Sequence, residues 1–549
     1  MITPLGRGTD ATLEAMTEGK TALRLHTNTY PDVDPFCASM IEEKPCVEGC
    51  TPFESLCIEV IRHALEEKHL TIAETKETIF ILSTTKGNVE LLATGGDPSM
   101  IASAHRIAAY FNNPNNPIVV SNACISGVSA IITATRLLET KQYTNAVVVG
   151  CDVLSPFIVS GFQSLKALSQ DPCRPFDAQR DGLNLGEAAA CIVITSDNRY
   201  ASRALGSVIR GAIHNDSNHI SGPSRTGEGS LRCLQDMDAD LDKLAFINVH
   251  GTATAYNDEM ESIALTRADM QDIPVNSMKG YLGHTLGAAG LVETILSLHA
   301  LRQGYVIATK GYSEQGTTQR VNICTEVMPT DKKEFIKLLS GFGGCNAAIR
   351  VTAGTQAEAD NMAQPNWKCI TEVRISPSRV IVNGELLHTS QQGEPLLTEI
   401  YKTHVKDYPK FYKMDTLSRL GFVASELLLQ SVEEERFTAR DDRAVVFANR
   451  SSCLKNDTDY QQTITTDNYF PSPSLFVYTL PNIVAGEIAI RNRYYGETSF
   501  YVLESEKDLL PIARLALQQR NTTSVLVGWT ECTGQDDFEA HIMLLTNQK

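Results

Sequence analysis

The chain has 549 residues, 42% of them hydrophobic and 21% charged, an ordinary composition for a soluble globular protein large enough to bury substantial cores. At about 150 residues per domain, this length corresponds to three or four folding units. The formal net charge of −17 argues against a general nucleic-acid or anionic-membrane role. The opening stretch, Met1-Ile2-Thr3-Pro4-Leu5-Gly6-Arg7, carries no apolar signal core, and no continuous apolar run is long enough to span a bilayer. The 14 cysteines therefore read as reduced thiols of a cytoplasmic protein. Cys46 and Cys50 resemble half of a metal site, but no second pair or nearby histidine completes it, so no metal is expected.

Short apolar runs alternate with longer helical patterns. Phe53 to Glu67 reads as a helix, with Leu56, Val60, Ile61 and Leu65 at helical spacing. Thr78-Ile79-Phe80-Ile81-Leu82 reads as a buried strand, and Ile118 to Ser121 as another, followed by a helix over Ile125 to Thr140. Ala146-Val147-Val148-Val149-Gly150 is a further strand. This rhythm predicts an α/β fold with buried sheets. Residues 353–367 are polar and turn-rich, which predicts a linker.

Beyond residue 367 the order of elements returns. Asp415 to Gln430 is helical, Ala444 to Ala448 is a strand, and Pro471 to Tyr478 leads through Thr479-Leu480-Pro481-Asn482 into a helix over Ile483 to Tyr494. That succession imitates Asn112 to Leu138. Ser524 to Trp529 echoes Ala146 to Cys151, and Phe538 to Met543 echoes Gly186 to Cys191. The tail, 368–549, thus reads as a degenerate copy of the first half of the preceding domain. On this alignment Leu480-Pro481-Asn482 stands where the first copy has Cys124.

Three segments carry candidate chemistry. Cys124 sits between a strand and a long helix, on a turn that resembles a nucleophile elbow. The positive end of a helix dipole favours thiolate over thiol there. His250 ends the apolar run Ala245 to Val249, and Thr252 and Thr254 beside it offer hydroxyls to a polar cofactor arm. His284 precedes the small-residue stretch Gly287-Ala288-Ala289-Gly290, which permits close backbone packing. Lys279 lies just before His284 and Glu293 just after it, a pair able to fix a histidine's orientation and tautomer.

With these segments stand Cys173-Arg174-Pro175-Phe176-Asp177-Ala178-Gln179-Arg180-Asp181-Gly182, Gly186-Glu187, Asn276-Ser277-Met278-Lys279, Gly283 to Gly290 and Gly341-Phe342-Gly343-Gly344-Cys345-Asn346. Together they resemble the 3-oxoacyl-[acyl-carrier-protein] synthases of the thiolase superfamily, over residues 1–352. The resemblance implies a five-layered αβαβα fold that works as a dimer. It implies that Cys124 accepts an acyl chain from an acyl carrier protein, and that His250 and His284 stabilise the enolate formed when a malonyl thioester loses carbon dioxide. It further implies an oxyanion hole from the amides of Cys124 and Phe342, a gate at Phe342, and pantetheine or substrate contacts at Thr252, Thr254, Phe176 and Phe342. Lys279 and Glu293 match the supporting pair. No cofactor is implied beyond the phosphopantetheine carried by the acyl carrier protein. Two histidines distinguish this pattern from synthases with His and Asn, and from thiolases with a second active cysteine. Cys345 stands where the family usually has threonine and reads as a small-residue exchange.

Two departures accompany the resemblance. The family's first strand is absent ahead of Met1, and Arg379 to Val382 is a candidate to fill its place. The interval from Cys124 to His250 is somewhat short. The tail resembles the N-terminal half of a ketosynthase, most of all the shortened ketosynthase-like subunits of aryl-polyene and flexirubin-type pathways. The expected whole is a thiolase-like domain (1–352), a linker (353–367) and a half-thiolase-like α/β domain (368–549) acting as a chain-length factor, paired within one chain or between chains. The alternatives are an ordinary fatty-acid elongation synthase with a structural tail, or a non-catalytic carrier-protein-binding scaffold.

Overall fold

The computed structural model describes residues 1–354, 366–432 and 435–547. Its spine is a 13-stranded sheet that runs through both parts of the chain. From one edge the order is Glu385–Leu387, Arg379–Val382, Trp367–Ser376, Phe538–Asn547, Ser524–Cys532, Arg443–Asn449 and Thr498–Val502, all from the tail. It continues with Ile118–Val120, Thr78–Ser83, Asn145–Asp152, Ala188–Thr195, Ile2–Thr3 and Gly6–Arg7. A second sheet of five strands orders Ser207–Asn215, Cys345–Thr352, Glu334–Gly341, Leu244–Asn248 and Val275–Asn276.

The period-2 alternation of the strands explains the layers. Phe80, Leu82, Val119, Val147 and Val149 face one core with the outer helix Pro52–Glu67 and the helix Met100–Tyr110. Their neighbours Ile79, Ile81, Ile118, Val120, Ala146 and Val148 face a second core with the helices Ser126–Glu139 and Ala289–Arg302. Those two helices also contact the five-stranded sheet, so they form the middle layer. They approach closely because Gly127 faces Gly290: a Cβ on Gly127 would lie 2.8 Å from the Gly290 Cα. The helices Glu228–Asp236 and Ala255–Arg267 cover the far side. The result is the expected thiolase-like, five-layered arrangement.

The tail repeats the first half, with a different alignment from the expected one. Arg443–Asn449 lies parallel to both Thr498–Val502 and Ser524–Cys532, as Thr78–Ser83 lies parallel to Ile118–Val120 and Asn145–Asp152. Pro473–Val477, expected to be strand, is a short helix with Ser472 as its N-cap. The helix Ile483–Asn492 comes before Thr498–Val502, the strand that occupies the place of Ile118–Val120. Val502 sits opposite Asn449 as Val120 sits opposite Ser83, so the counterpart of Cys124 is Glu506, not Leu480-Pro481-Asn482. Glu506 is bonded to His541, and the tail position again lacks a thiol.

Two further expectations change. Arg379–Val382 is a strand, but it pairs with Trp367–Ser376 and Glu385–Leu387 near the opposite edge from residue 1. The first strand is present in abbreviated form, Ile2–Thr3, with Ile2 opposite Ala189. Of the linker, 355–365 lie outside the described residues, and Trp367 already begins a strand.

The two parts meet where Ile118–Val120 pairs antiparallel with Thr498–Val502, Val120 opposite Tyr501 and Val119 opposite Val502. Both large cores continue across this seam, taking in Phe447, Phe500 and Leu526 on one face and Val446, Tyr501 and Val527 on the other. Buried polar pairs fix the register. Arg136 Nη1 lies 2.7 Å from Glu497 Oε2, and Arg136 Nη2 donates to Gln519 Oε1 at 3.1 Å. Lys86 Nζ lies 2.7 Å from Asp457 Oδ1 and also donates to the Thr479 carbonyl. Glu497→Ala leaves Arg136 buried without its carboxylate and is expected to cost about 3–5 kcal/mol. The double variant Arg136→Met/Glu497→Leu should recover most of that loss, as read by denaturant unfolding.

Candidate active site

Cys124 stands on the turn between the Ile118–Val120 strand and the Ser126–Glu139 helix, within a single 3-10 turn over Ala123–Ile125. The residue before it, Ala123, takes the left-handed conformation at φ 48°, the strain associated with presenting a nucleophile on a sharp turn. The turn is fastened on both sides. Asn122 N donates to Ser126 Oγ at 2.8 Å, Ser126 Oγ donates to the Ala123 carbonyl at 2.6 Å, and the Phe500 amide from the tail donates to Asn122 Oδ1 at 3.0 Å.

Three distant segments converge on this thiol. One ligand atom each of Cys124, His250 and His284 lies within 4.8 Å of the other two. The imidazole rings cross nearly at right angles, with centroids 4.9 Å apart. His284 Nδ1 accepts the Leu286 amide at 3.3 Å, which puts the neutral ring's proton on Nε2. His284 Nε2 and His250 Nδ1 are buried with no hydrogen-bond partner among the described residues. The His284 tautomer is thus set by a backbone amide, whereas the sequence had pointed to the Lys279–Glu293 pair. Glu261 holds the His250 turn, its two oxygens accepting the amides of His250 and Gly251, each at 2.7 Å.

Behind the histidines lies a buried charge cluster. Lys279 Nζ is 2.5 Å from Glu293 Oε1, and Lys337 Nζ is 2.6 Å from Glu293 Oε2. All three side chains are at most 3% exposed, so the carboxylate is shared between two ammonium groups. Burial alone would push the Glu293 carboxyl up, but the two lysine charges outweigh it and hold it below its ordinary value. Burial draws both imidazoles well below the usual histidine range, and the nearby lysine charges press in the same direction. Both rings are neutral at physiological pH.

The thiol differs from expectation. Burial pushes Cys124 up to about 12, and Lys279 together with the amides of Cys124 and Phe342 only partly oppose this. The helix start does not make a resting thiolate, and a neutral imidazole beside the sulfur must take its proton when it reacts. Both amides approach the sulfur, a pair of donors able to receive charge on an adjacent carbonyl oxygen. Cys345 is buried, its thiol pushed well up, first by burial, consistent with an inert small residue.

The remaining expected residues fall into two groups. Thr252 and Thr254 stand together, their hydroxyls 2.9 Å apart, and Phe342 stacks on Phe162 with centroids 6.3 Å apart. Phe176 is 1% exposed and belongs to the core under the second sheet. Its ring lies within 3.2 Å of where a Cβ on Gly251 would sit, so it props the His250 turn from below. Sequence reasoning missed Lys337, Glu261 and Asn122. For Lys337 a signal existed, a lone cation inside Phe335-Ile336-Lys337-Leu338-Leu339.

The loop that carries Phe342, where the resemblance implies a gate, is gripped by the tail. Asn482 Nδ2 donates to the Phe342 carbonyl at 2.7 Å, and a Cβ on Gly486 would lie 2.6 Å from the Gly343 carbonyl. Phe162 in turn packs edge-on against Phe476 of the tail, with centroids 5.5 Å apart.

The family description "Beta-ketoacyl synthase, N-terminal domain" matches residues 1–199, and "Beta-ketoacyl synthase, C-terminal domain" matches 205–313. Nodulation protein E of Rhizobium leguminosarum bv. trifolii is 30% identical over 288 residues, covering 51% of this chain and 71% of that protein. The tetracenomycin polyketide synthase ketoacyl synthase alpha subunit of Streptomyces glaucescens is 28% identical over 399 residues, covering 63% and 93%. Among solved structures, the PfaC keto synthase-chain length factor covers 99% of this chain and 77% of its own at 15% identity, with a TM-score of 0.77. The fold of that neighbour therefore extends over the tail as well as the matched domains.

With the thiol at about 12, alkylation of Cys124 by iodoacetamide is expected to accelerate steadily from neutral pH through about pH 10. A plateau near neutrality, measured by mass spectrometry of the Cys124 peptide, would contradict this protonation state.

Proposed function

We propose, from the premise that the chain belongs to the beta-ketoacyl synthase family, that it is an acyltransferase joining an acyl group held on Cys124 to a malonyl unit by decarboxylative condensation. The observation that carries this reading is the meeting of one thiol and two neutral imidazoles within 4.8 Å, backed by a buried Lys–Glu–Lys cluster.

In the first half-reaction the Cys124 sulfur attacks an acyl thioester and its proton passes to an imidazole. The C–S bond to phosphopantetheine breaks, and the pantetheine thiol leaves with that proton. In the second, the malonyl C–C bond breaks and carbon dioxide departs. Its electron pair enters the thioester as an enolate, whose oxygen is held by the histidine N–H groups. The enolate carbon then attacks the Cys124 thioester. The oxyanion rests on the amides of Cys124 and Phe342, the thiolate is expelled and takes up a proton from solvent, and a 3-oxoacyl thioester is released. No metal or small cofactor takes part. Thr252 and Thr254 suit the pantetheine arm of an acyl carrier protein, the partner this chemistry requires. No described helix is long and apolar enough to cross a membrane, and we assign the enzyme to the cytoplasm, where carrier-protein chemistry runs on reduced thiols.

The tail acts as a built-in chain-length factor. It offers no thiol at the position of Cys124, it touches the gating loop through Asn482 and Gly486, and it supplies Tyr460 and Phe476 to the apolar cluster that also holds Leu286, Phe157 and Phe162 and lies against Phe342. An acyl chain leading away from Cys124 past Phe342 meets that cluster. An aryl or polyene chain is the favoured substrate class, on the likeness of the tail to such subunits. A purely structural tail in a fatty-acid elongation enzyme is the competing reading.

Cys124→Ala is expected to abolish labelling by an acyl thioester, which a non-catalytic scaffold would never show. His284→Ala should lower carbon dioxide release from malonyl-carrier protein by on the order of a hundredfold or more, while acylation of Cys124 persists. Normal release in that variant would refute the role of His284. Gly486→Ala pushes a methyl against the Gly343 backbone, which must shift to admit it at a cost of about 1–3 kcal/mol, and is expected to slow condensation about tenfold or more at a temperature where the variant is still folded. An unchanged condensation rate would remove the link between tail and gate.

A further inference from the structure

Lys337 lies on the Glu334–Gly341 strand with its side chain fully buried. Alternation along that strand points Phe335 and Leu339 into the middle-layer core, and Lys337 shares their side. An apolar residue would fill such a position at far less desolvation cost than an ammonium. Apart from a bond to the neighbouring Leu338 carbonyl, the contacts of this ammonium lead to the active site. Besides Glu293 Oε2 at 2.6 Å, Nζ donates to the carbonyls of Leu338 at 3.1 Å, Val249 at 3.2 Å and Asn248 at 3.5 Å. Asn248 and Val249 are the two residues directly ahead of His250.

We infer that Lys337 is a positioning residue of the decarboxylation step: it anchors the strand end that carries His250 and places an unneutralised positive charge behind the two imidazoles. This rests on the condensation reading given above. Around the site stand Cys124 on its turn, His250 and His284, Lys279 beside His284, Glu293 on the middle-layer helix, and Glu261 and Asp258 on the helix behind the His250 turn. Asp152, at the end of its strand, accepts the Gly287 amide at 2.7 Å. Glu293 is the one carboxylate paired with either lysine among the described residues, so two cations share one anion. The excess charge disfavours protonation of the histidines and attracts the negative charge that develops on the enolate oxygen. Burial brings the Lys337 ammonium down to about 8, against the pull of Glu293, so the charge is present through neutral pH and fades above it.

The test uses the full chain with malonyl-loaded carrier protein, rates being normalised to the amount of Cys124 that a labelled acyl thioester can acylate. Lys337→Met is expected to lower kcat for carbon dioxide release roughly ten- to hundredfold, with KM and Cys124 acylation nearly unchanged. The acid limb of its pH–rate profile should move up by about one unit, because losing a neighbouring cation raises both imidazole pKa values. Lys337→Arg keeps the charge and should leave the acid limb in place. If the methionine variant yields no acylatable Cys124, Lys337→Gln carries the same expectation. A folded, uncharged variant with the wild-type kcat and acid limb overturns the inference, as does one whose rate falls equally at every pH, the mark of a merely structural role. A wild-type chain that releases no carbon dioxide overturns the condensation reading instead.

Discussion

The antiparallel contact between Val119–Val120 and Tyr501–Val502 is two residue pairs wide, and the rest of the molecule depends on it. An inner strand of a mostly parallel sheet is apolar on both faces and cannot end at solvent with its backbone groups unpaired. The tail supplies the missing neighbour, so one sheet and two cores run across the seam. The same contact reaches the chemistry directly. Asn122, two residues ahead of Cys124, takes the Phe500 amide and gives its own amide group to the Thr498 carbonyl. The Cys124 turn is therefore built partly from the tail backbone, and a length that suggests three or four units yields shared cores.

Buried charge divides into two kinds. At the seam each cation meets an anion one to one: Arg136 with Glu497 and Lys86 with Asp457. Such pairs add little net stability over apolar residues, but they penalise any slip in register, because a slip leaves a charge unpaired. Behind the histidines the pairing is deliberately unequal, two lysines to one glutamate. A low-dielectric site with a surplus cation is costly to form and suited to a reaction whose transition state gathers negative charge on a thioester oxygen.

The α/β rhythm, the first-half strands and the Cys124–His250–His284 set were legible because each depends on local pattern: alternation, helical spacing, and polar residues stranded at the ends of apolar runs. The tail alignment was not. Leu475-Phe476-Val477-Tyr478 is an apolar run short enough to read as a strand, yet Ser472 caps it and Pro473 opens it as a helix. The true counterpart strand, Thr498–Val502, announces itself only through its partners. The Cys124 protonation state was misread because the helix dipole is visible in sequence and burial is not. Phe176 sits inside a motif that marks the family and was taken for a substrate contact, whereas its place in the core is set by packing under the His250 turn. Lys337 and Glu261 act through backbone groups of a loop distant in sequence, contacts that no spacing rule encodes.

On the proposed function, the tail forms the far wall of the site around Cys124. Phe476 bears on this most directly, since it packs against Phe157 and Phe162, and Phe162 stacks on Phe342. Mass spectrometry of the acyl chain carried on Cys124 after extension with malonyl-carrier protein tests this directly, comparing the wild-type chain with Phe476→Ala. Longer chains on the variant, with Cys124 acylated to the same extent, are predicted. An identical chain-length distribution would contradict the account and reduce the tail to a structural support.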